Sequence, residues 1–338
     1  MQPAAPALRP FARTLDNRRM PLGEFDLIAR YFARPARRVP LGNGDDCALL
    51  AVAPGMQLAT STDMLVEGRH FVSTVAPQRL GHKALAVNLS DLAACGARPL
   101  AFTLALSLPR VDEDFLDGFS RGLFALAERF ECDLVGGDTT AGPLAICIGV
   151  FGEVPAGGAL LRSGARAGDE LWVSGTLGDA RLALEVLRGT QRLDGAAFEQ
   201  VRQAMERPEP RVALGLALRG VATSAIDVSD GLLGDLGQVL RASQVGARIE
   251  ADALPRSAVL AALPLELQRE CTLAGGDDYE LLFSAAPTAH AAVLQAARAA
   301  GIGATCIGRI ERETGVRLVD AAGRAIEQRF AAFDHFRT

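Results

Sequence analysis

The 338 residues are 49% hydrophobic and 22% charged, with a formal net charge of −5 and a pI of about 5.5, which leaves room for two domains of ordinary size. No Lys/Arg-rich block could track a nucleic-acid backbone, and no apolar run reaches the roughly 18 residues that a membrane span needs, so neither partner is expected. A phosphate-bearing partner would need cations supplied from elsewhere.

Residues 1–19, "MQPAAPALRPFARTLDNRR", are rich in Arg, Pro and Ala and lack the apolar core of a secretory signal. They are expected to be a flexible extension, with Met20 a candidate for the true start. Residues 24–34, "EFDLIARYFAR", carry apolar positions at helical spacing. A glycine turn, "GNGDD", then leads to a predicted strand, "CALLAV". "MQLATSTD" reads as a strand ending on Asp63, and "PQRLGHKALAVNLSDLAACG" as a helix capped at Gly96. On that helix Asn88 and Asp91 share a face. "AFTLALSL" predicts a strand, and "DEDFLDGFSRGLFALAERFE" a helix with a stripe from Phe115 to Phe130. "CDLV" predicts a strand running into a "GGDTT" turn, and "LAICIGVFGEV" another strand, which closes a first α/β domain at residue 154. After the Gly-rich stretch "PAGGALLRSGARAGDE", strand "LWVSG", turn "TLGDA", strand "SAIDV", helix "DGLLGDLGQVLRAS" and helix "PTAHAAVLQAARAA" predict a second α/β domain over 155–338.

One grammar recurs through both domains: small residues, an Asp, then a strand or helix. Ordinary turn chemistry explains one such site. Six together, using Asp45, Asp46, Asp63, Asp91, Asp138, Asp227, Asp230, Asp235, Asp277 and Asp278 and hardly any Glu, point to hard cations. Adjacent carboxylates raise each other's pKa unless a cation compensates, and Mg²⁺ does so. The P-loop signature and the protein-kinase H-R-D and D-F-G sets are absent. "GNGDDC" has Cys where a dinucleotide loop needs its third Gly and precedes no helix. "SGTLGDA" is either a phosphate-holding turn or a plain strand-to-helix turn, and His70 is either a ligand contact or an interior His. The six cysteines form no C-x-x-C pair and read as reduced core thiols of a cytoplasmic protein, not as a thiol catalyst or zinc site.

From Met20 to Phe336, "GEFDLIARYF", "GDDCALL", "STDMLVEGRHF", "KALAVNLSDLAACGARP", "GGDTTAGP", "SAIDVSDGL", "GGDDYELLF" and "FDHF" resemble, in order and spacing, the thiamine-monophosphate kinase family of the aminoimidazole ribonucleotide synthetase superfamily. The resemblance implies an N-terminal α/β domain over 20–154 that binds ATP and dimerises through its sheet, and a C-terminal α/β domain closing over the cleft. It implies transfer of the γ-phosphoryl group of ATP to thiamine monophosphate, giving thiamine diphosphate, with several Mg²⁺ ions. Carried over by motif, Asp46, Asp63, Asp91, Asp138, Asp227 and Asp230 would be metal ligands, with Ser61 and Thr62 adding oxygens. Gly137, Asp138, Arg162 and Ser229 would contact ATP. His70, Asp277 and Phe333 would line the thiamine side.

The nearest rivals differ by what they require. A selenophosphate synthetase is expected to carry a reactive Cys and a Lys near its start, and residues 1–30 hold neither; a hydrogenase-maturation carbamoyl dehydratase is expected to end in a Cys-bearing tail, where this sequence reads "FDHFRT". A metal-dependent phosphohydrolase needs no ATP, and a silent Mg²⁺ or nucleotide-binding scaffold would not use so complete an Asp set.

Overall fold

The computed structural model describes residues 23–327; the expected N-terminal extension and Phe333 lie outside them. Helix α1 (Glu24–Leu27) passes into a π-helical turn over Ile28–Phe32 that buries Tyr31 and Phe32, where the sequence predicts one continuous helix. Next come β1 (Met56–Val66), α2 (Pro77–Ala94), β2 (Arg98–Leu108), α3 (Glu113–Arg129), β3 (Asp133–Ala141) and β4 (Ala145–Pro155). These strands form one sheet in the order β1-β4-β2-β3, parallel only between β2 and β3.

After an irregular link over 156–169, a second sheet is built from β5 (Glu170–Ser174), β6 (Ala222–Asp227), β7 (Gly246–Glu250), β8 (Leu281–Ala285), β9 (Ala304–Glu311) and β10 (Gly315–Val319), in the order β10-β7-β9-β5-β8-β6. Its helices are α4 (Asp179–Leu187), α5 (Gly195–Glu206), α6 (Val212–Ala217), α7 (Leu232–Ser243), α8 (Ala258–Ala261), α9 (Leu265–Ala274) and α10 (His290–Ala299).

Local chemistry explains the long helices. Pro77 occupies the first turn of α2, where a missing N–H costs nothing. The Asp112 carboxylate caps α3 by accepting the Phe115 N–H at 3.1 Å. Helices α2 and α3 pack almost backbone to backbone, because a Cβ at Gly81 would fall 2.0 Å from the Phe119 carbonyl oxygen and one at Gly122 only 1.8 Å from that of Gln78. Phe119 and Leu123 are fully buried there, contributing roughly 1.5–3 kcal/mol each. Helix α2 is buried along most of its length, between the first sheet and α6 and β6 of the second, so it belongs to both halves of the molecule.

Two sequence expectations are corrected. "CALLAV" forms no strand: Ala48, Leu50 and Val52 cover Leu100, Ala101 and Val135, but the segment's ladder is confined to an isolated Leu41–Leu49 bridge. Its apolar alternation reports one-sided burial, not pairing. "GGDTT" is not a turn, since β3 runs through it with Gly137 paired to Leu104 and Asp138 to Ala105. Gly137 makes this possible: at φ 153° its Cβ position lies 1.9 Å from the Leu104 carbonyl oxygen. Gly137→Ala is therefore expected to destabilise the fold by about 2 kcal/mol or more, read as a lower urea midpoint; an unchanged midpoint would show that the strand can move aside.

Candidate active site

Helix α2 supplies the spine of the site. Lys83, Val87 and Asp91 stand at i, i+4 and i+8 and line one cavity of about 600 Å³ between the two halves. At the Asp91 end, Ser61 Oγ of β1 donates to Asp91 Oδ2 at 2.5 Å, and the Asp63 N–H donates to Asn88 Oδ1 at 3.1 Å. Ser90 Oγ donates to Asp227 Oδ2 at 2.7 Å, joining α2 to the end of β6. The turn after β6 is fixed by Asp235 of α7, whose Oδ2 accepts the Ser229 and Asp230 N–H groups at 3.1 Å each. Asp63, Asp91, Asp227 and Asp230 thus face the same cavity from three elements and the turn beside them.

Burial and mutual repulsion dominate their electrostatics. The Asp63 carboxyl is pushed up to about 6, first by burial and then by Asp91 and Asp230. Asp227 rises to about 7 through burial and the charges of Asp91 and Asp63, against the Ser90 hydrogen bond. Asp91 is also raised by burial, opposed by Ser61 and by the Arg162 guanidinium. Carboxylates gathered in a cleft without paired cations fit a hard divalent ion by donor chemistry. Among the described residues no three His, Cys, Asp or Glu side chains converge tightly enough to enclose a metal by themselves.

The other end of the cavity is half apolar. Val72, Val75, Leu184, Leu187 and Met205 line it beside His70, Asp277 and Tyr279. His70 Nδ1 accepts the Val66 N–H at 3.0 Å, which places the ring proton of the neutral imidazole on Nε2. Asp277 accepts from Lys83 Nζ at 2.8 Å and from the Tyr279 hydroxyl at 3.1 Å.

Not all the sequence-predicted residues meet here. Along β1, Ser61 and Asp63 face the helices, whereas Thr62 and Met64 face the other side of the sheet. Asp138 also lies on that other side, in register with Ala105, Cys147 and Met64. It sits on the far edge strand, roughly 14 Å from β1 at the usual strand spacing. Asp46 is exposed in a loop anchored to β3 by the Asn43 side chain on the Leu134 carbonyl at 3.1 Å. Gly137 and Asp138 therefore lie apart from Ser61, Asp63, Asp91, Asp227 and Asp230, by about the width of the sheet, and Asp46 stands in the exposed loop outside the cavity. Arg162 is exposed in the link between the sheets, and Ser229 lines the cavity.

The "SGTLGDA" turn is already occupied: both Asp278 oxygens accept the Gly178 N–H, at 2.9 and 3.1 Å, so an internal carboxylate fills the position a phosphate would take. The cysteines include an exposed one, Cys47, beside the buried Cys132 and Cys271, and all six are free thiols. Sequence reading missed Lys83, Ser90 and Tyr279. Lys83 and Ser90 could have been found from "KALAVNLSD", where Lys83 precedes Asp91 by two helical steps of four. Nothing local signals Tyr279.

Residues 44–154 match the family model of the AIR synthase related protein N-terminal domain, and residues 166–321 match that of its C-terminal domain. The chain is 45% identical over 325 residues to thiamine-monophosphate kinase of Salmonella typhimurium, covering 94% of this chain and all of that protein. The crystal structure of thiamine-monophosphate kinase from Stenotrophomonas maltophilia superposes with a TM-score of 0.80 at 45% identity, over 89% of this chain and 95% of the other. A structure of AaThiL complexed with AMPPCP and TMP gives a TM-score of 0.73 at 29% identity, over 85% and 89%.

Proposed function

We infer the activity from the premise that this chain belongs to the thiamine-monophosphate kinase family: it transfers the γ-phosphoryl group of ATP to thiamine monophosphate, yielding thiamine diphosphate and ADP. The observation that carries this reading is the cavity between the two sheets, with four carboxylates at one end and an apolar, His- and Asp-lined recess at the other. Its volume suits a ligand with a charged tail and a heteroaromatic body. That a homologue of known structure holds AMPPCP, an ATP analogue, together with TMP supports the same pairing of substrates.

No protein nucleophile is needed. The attacking group is a phosphate oxygen of the substrate, and a phosphate monoester with a second pKa near 6 is mostly ionised at neutral pH. The barrier comes from bringing two polyanions together in line, so the chain's work is positioning and charge balance. Asp63, Asp91, Asp227 and Asp230, with Ser61, would hold Mg²⁺ at the buried end, joined by Asp46, Thr62 and Asp138. Bound Mg²⁺ supplies the positive charge that offsets the phosphates. Gly137, Asp138, Arg162 and Ser229 would contact ATP. Ser61 and Ser90 fix the Asp91 and Asp227 carboxylates, while His70 and Asp277 orient the thiamine end.

The division of the acidic residues between two faces supports a homodimer. On the open face, Thr62, Gly149 and Thr103 form a row of small residues across three strands, flanked by the exposed Met64 and Leu58. A two-fold partner packed on that face with its β3 edge against β1 would bring its Asp138 to the β1 edge, around which Asp63 and Asp91 of the first subunit lie. The free thiols and the ATP requirement support a cytoplasmic location.

The test is to follow ADP formation with ATP and Mg²⁺, adding thiamine monophosphate, thiamine or aminoimidazole ribonucleotide in parallel, with products identified by mass spectrometry. Thiamine diphosphate forming only from the monophosphate is expected. Phosphate release without ATP would indicate a hydrolase instead.

Mg²⁺ is also expected to stabilise the substrate-free protein in a pH-dependent way. Asp63 and Asp227 hold protons up to about 6 and about 7 when folded, against roughly 3.9 when unfolded. Their contribution is therefore most favourable below about pH 4 and is lost as pH rises through 6 to 7. Above that window both charges are in place and a cation relieves most repulsion. The melting temperature should rise more with Mg²⁺ near pH 7.5 than near pH 5; equal shifts would place Mg²⁺ elsewhere.

A further inference from the structure

Lys83 is 2% exposed in the middle of α2, and no role above uses it. Its ammonium donates to Asp277 Oδ2 at 2.8 Å and to the His70 carbonyl oxygen at 3.2 Å. One cation thus ties the loop after β1 to the loop before β8, and each loop carries one of the two described residues read as facing thiamine. The Asp277 loop needs such a tie: Asp277 and Tyr279 are non-glycine residues at φ 65° and 51°, a conformation that persists only where its surroundings hold it. Those surroundings are the Asp277 N–H on the Ser229 carbonyl and the Tyr279 N–H on the Val228 carbonyl, both at 2.8 Å, and Lys83.

Lys83 and Tyr279 each occupy one oxygen of the Asp277 carboxylate, which fixes its plane and leaves further lone pairs toward the cavity. A fixed acceptor there suits the exocyclic amine of an aminopyrimidine. Lys83 also stands two helical steps from Asp91 on the same stripe, about 12 Å along the axis, so a single rigid helix sets the separation between the phosphate end and the ring end.

We propose that Lys83 is a positioning residue for the thiamine half of the substrate, acting through Asp277. This rests on the kinase reading above. The experiment compares wild type with K83M, D277N and K83M/D277N, measuring KM for each substrate and kcat. K83M is expected to raise KM for thiamine monophosphate at least about tenfold while KM for ATP stays within about twofold. Because Lys83 acts through Asp277, the double variant should be no weaker than D277N alone. K83Q, a shorter and uncharged side chain whose amide still offers an N–H, is read the same way if K83M does not fold. Equal rises in both KM values, or additive losses in the double variant, would overturn the proposal and leave Lys83 a structural bridge. Wild-type turnover separates the two readings: if it is absent, the kinase assignment falls and this role with it, whereas an active wild type with an unaltered K83M removes the role of Lys83 alone.

Discussion

Asp91→Asn is expected to lower kcat/KM for thiamine monophosphate by roughly a thousandfold, a loss of about 4 kcal/mol of transition-state stabilisation, while the melting temperature of the metal-free protein stays level or rises. The substitution is isosteric, and the amide oxygen still accepts from Ser61, which reaches Asp91 at 2.5 Å in the wild type. What disappears is the charge. In the folded protein that charge is unfavourable, since burial raises the Asp91 carboxyl and Asp91 in turn raises Asp63 and Asp227. Removing it relieves repulsion in the empty site but removes a ligand where two polyanions must be brought together. A steady-state assay at saturating Mg²⁺ beside a thermal melt reads both effects. Turnover near the wild-type level would sink the assignment of Asp91 to the metal, and a collapse in melting temperature would mark it as structural.

The second large effect concerns the division of the site between subunits. Asp138→Asn alone should be nearly inactive, as should Asp91→Asn. Co-expressed under two affinity tags, the two variants should recover about a quarter of wild-type activity, because half the dimers are mixed and each mixed dimer has one intact site. The geometry behind this is the ladder. Asp138 pairs with Ala105 on the open face of the sheet, whereas Asp63 and Asp91 lie on the helix face at the opposite edge, roughly 14 Å away across the strands. A chain whose own Asp138 served its own Asp91 would give no recovery, since every site would carry a defect. Isolated mixed dimers at half the wild-type rate would give the same answer without statistical assumptions.

Much of this was legible in the sequence. The buried face of α3 follows its apolar spacing, α2 begins at its proline and ends before Gly96, and the alternation in "LAICIGVFGEV" becomes the central strand β4. These features are local, so 3.6- and two-residue periods report them. The same rule failed at "CALLAV", where one-sided burial produced the strand pattern without a ladder partner. It also fails at "GGDTT", where the glycines suggest a turn but Gly137 serves a close strand approach.

A two-part α/β chain with recurrent Asp clusters can be read from residue patterns alone, and its family follows from the order of those clusters. Which carboxylates share a space is a matter of packing. In a strand, neighbouring side chains point to opposite faces, so Ser61, Thr62 and Asp63 are adjacent in sequence and divided in space. A register shift that skips Val135 of β3 beside β2, and another that skips Leu100 of β2 beside β4, set which face Asp138 takes, and no period in the sequence encodes them. Lys83 meets Asp277 across 194 residues when the two sheets close on one helix, and Asp278 meets Gly178 across 100 between loops of the second sheet. Their partners are chosen by packing, which no local pattern records.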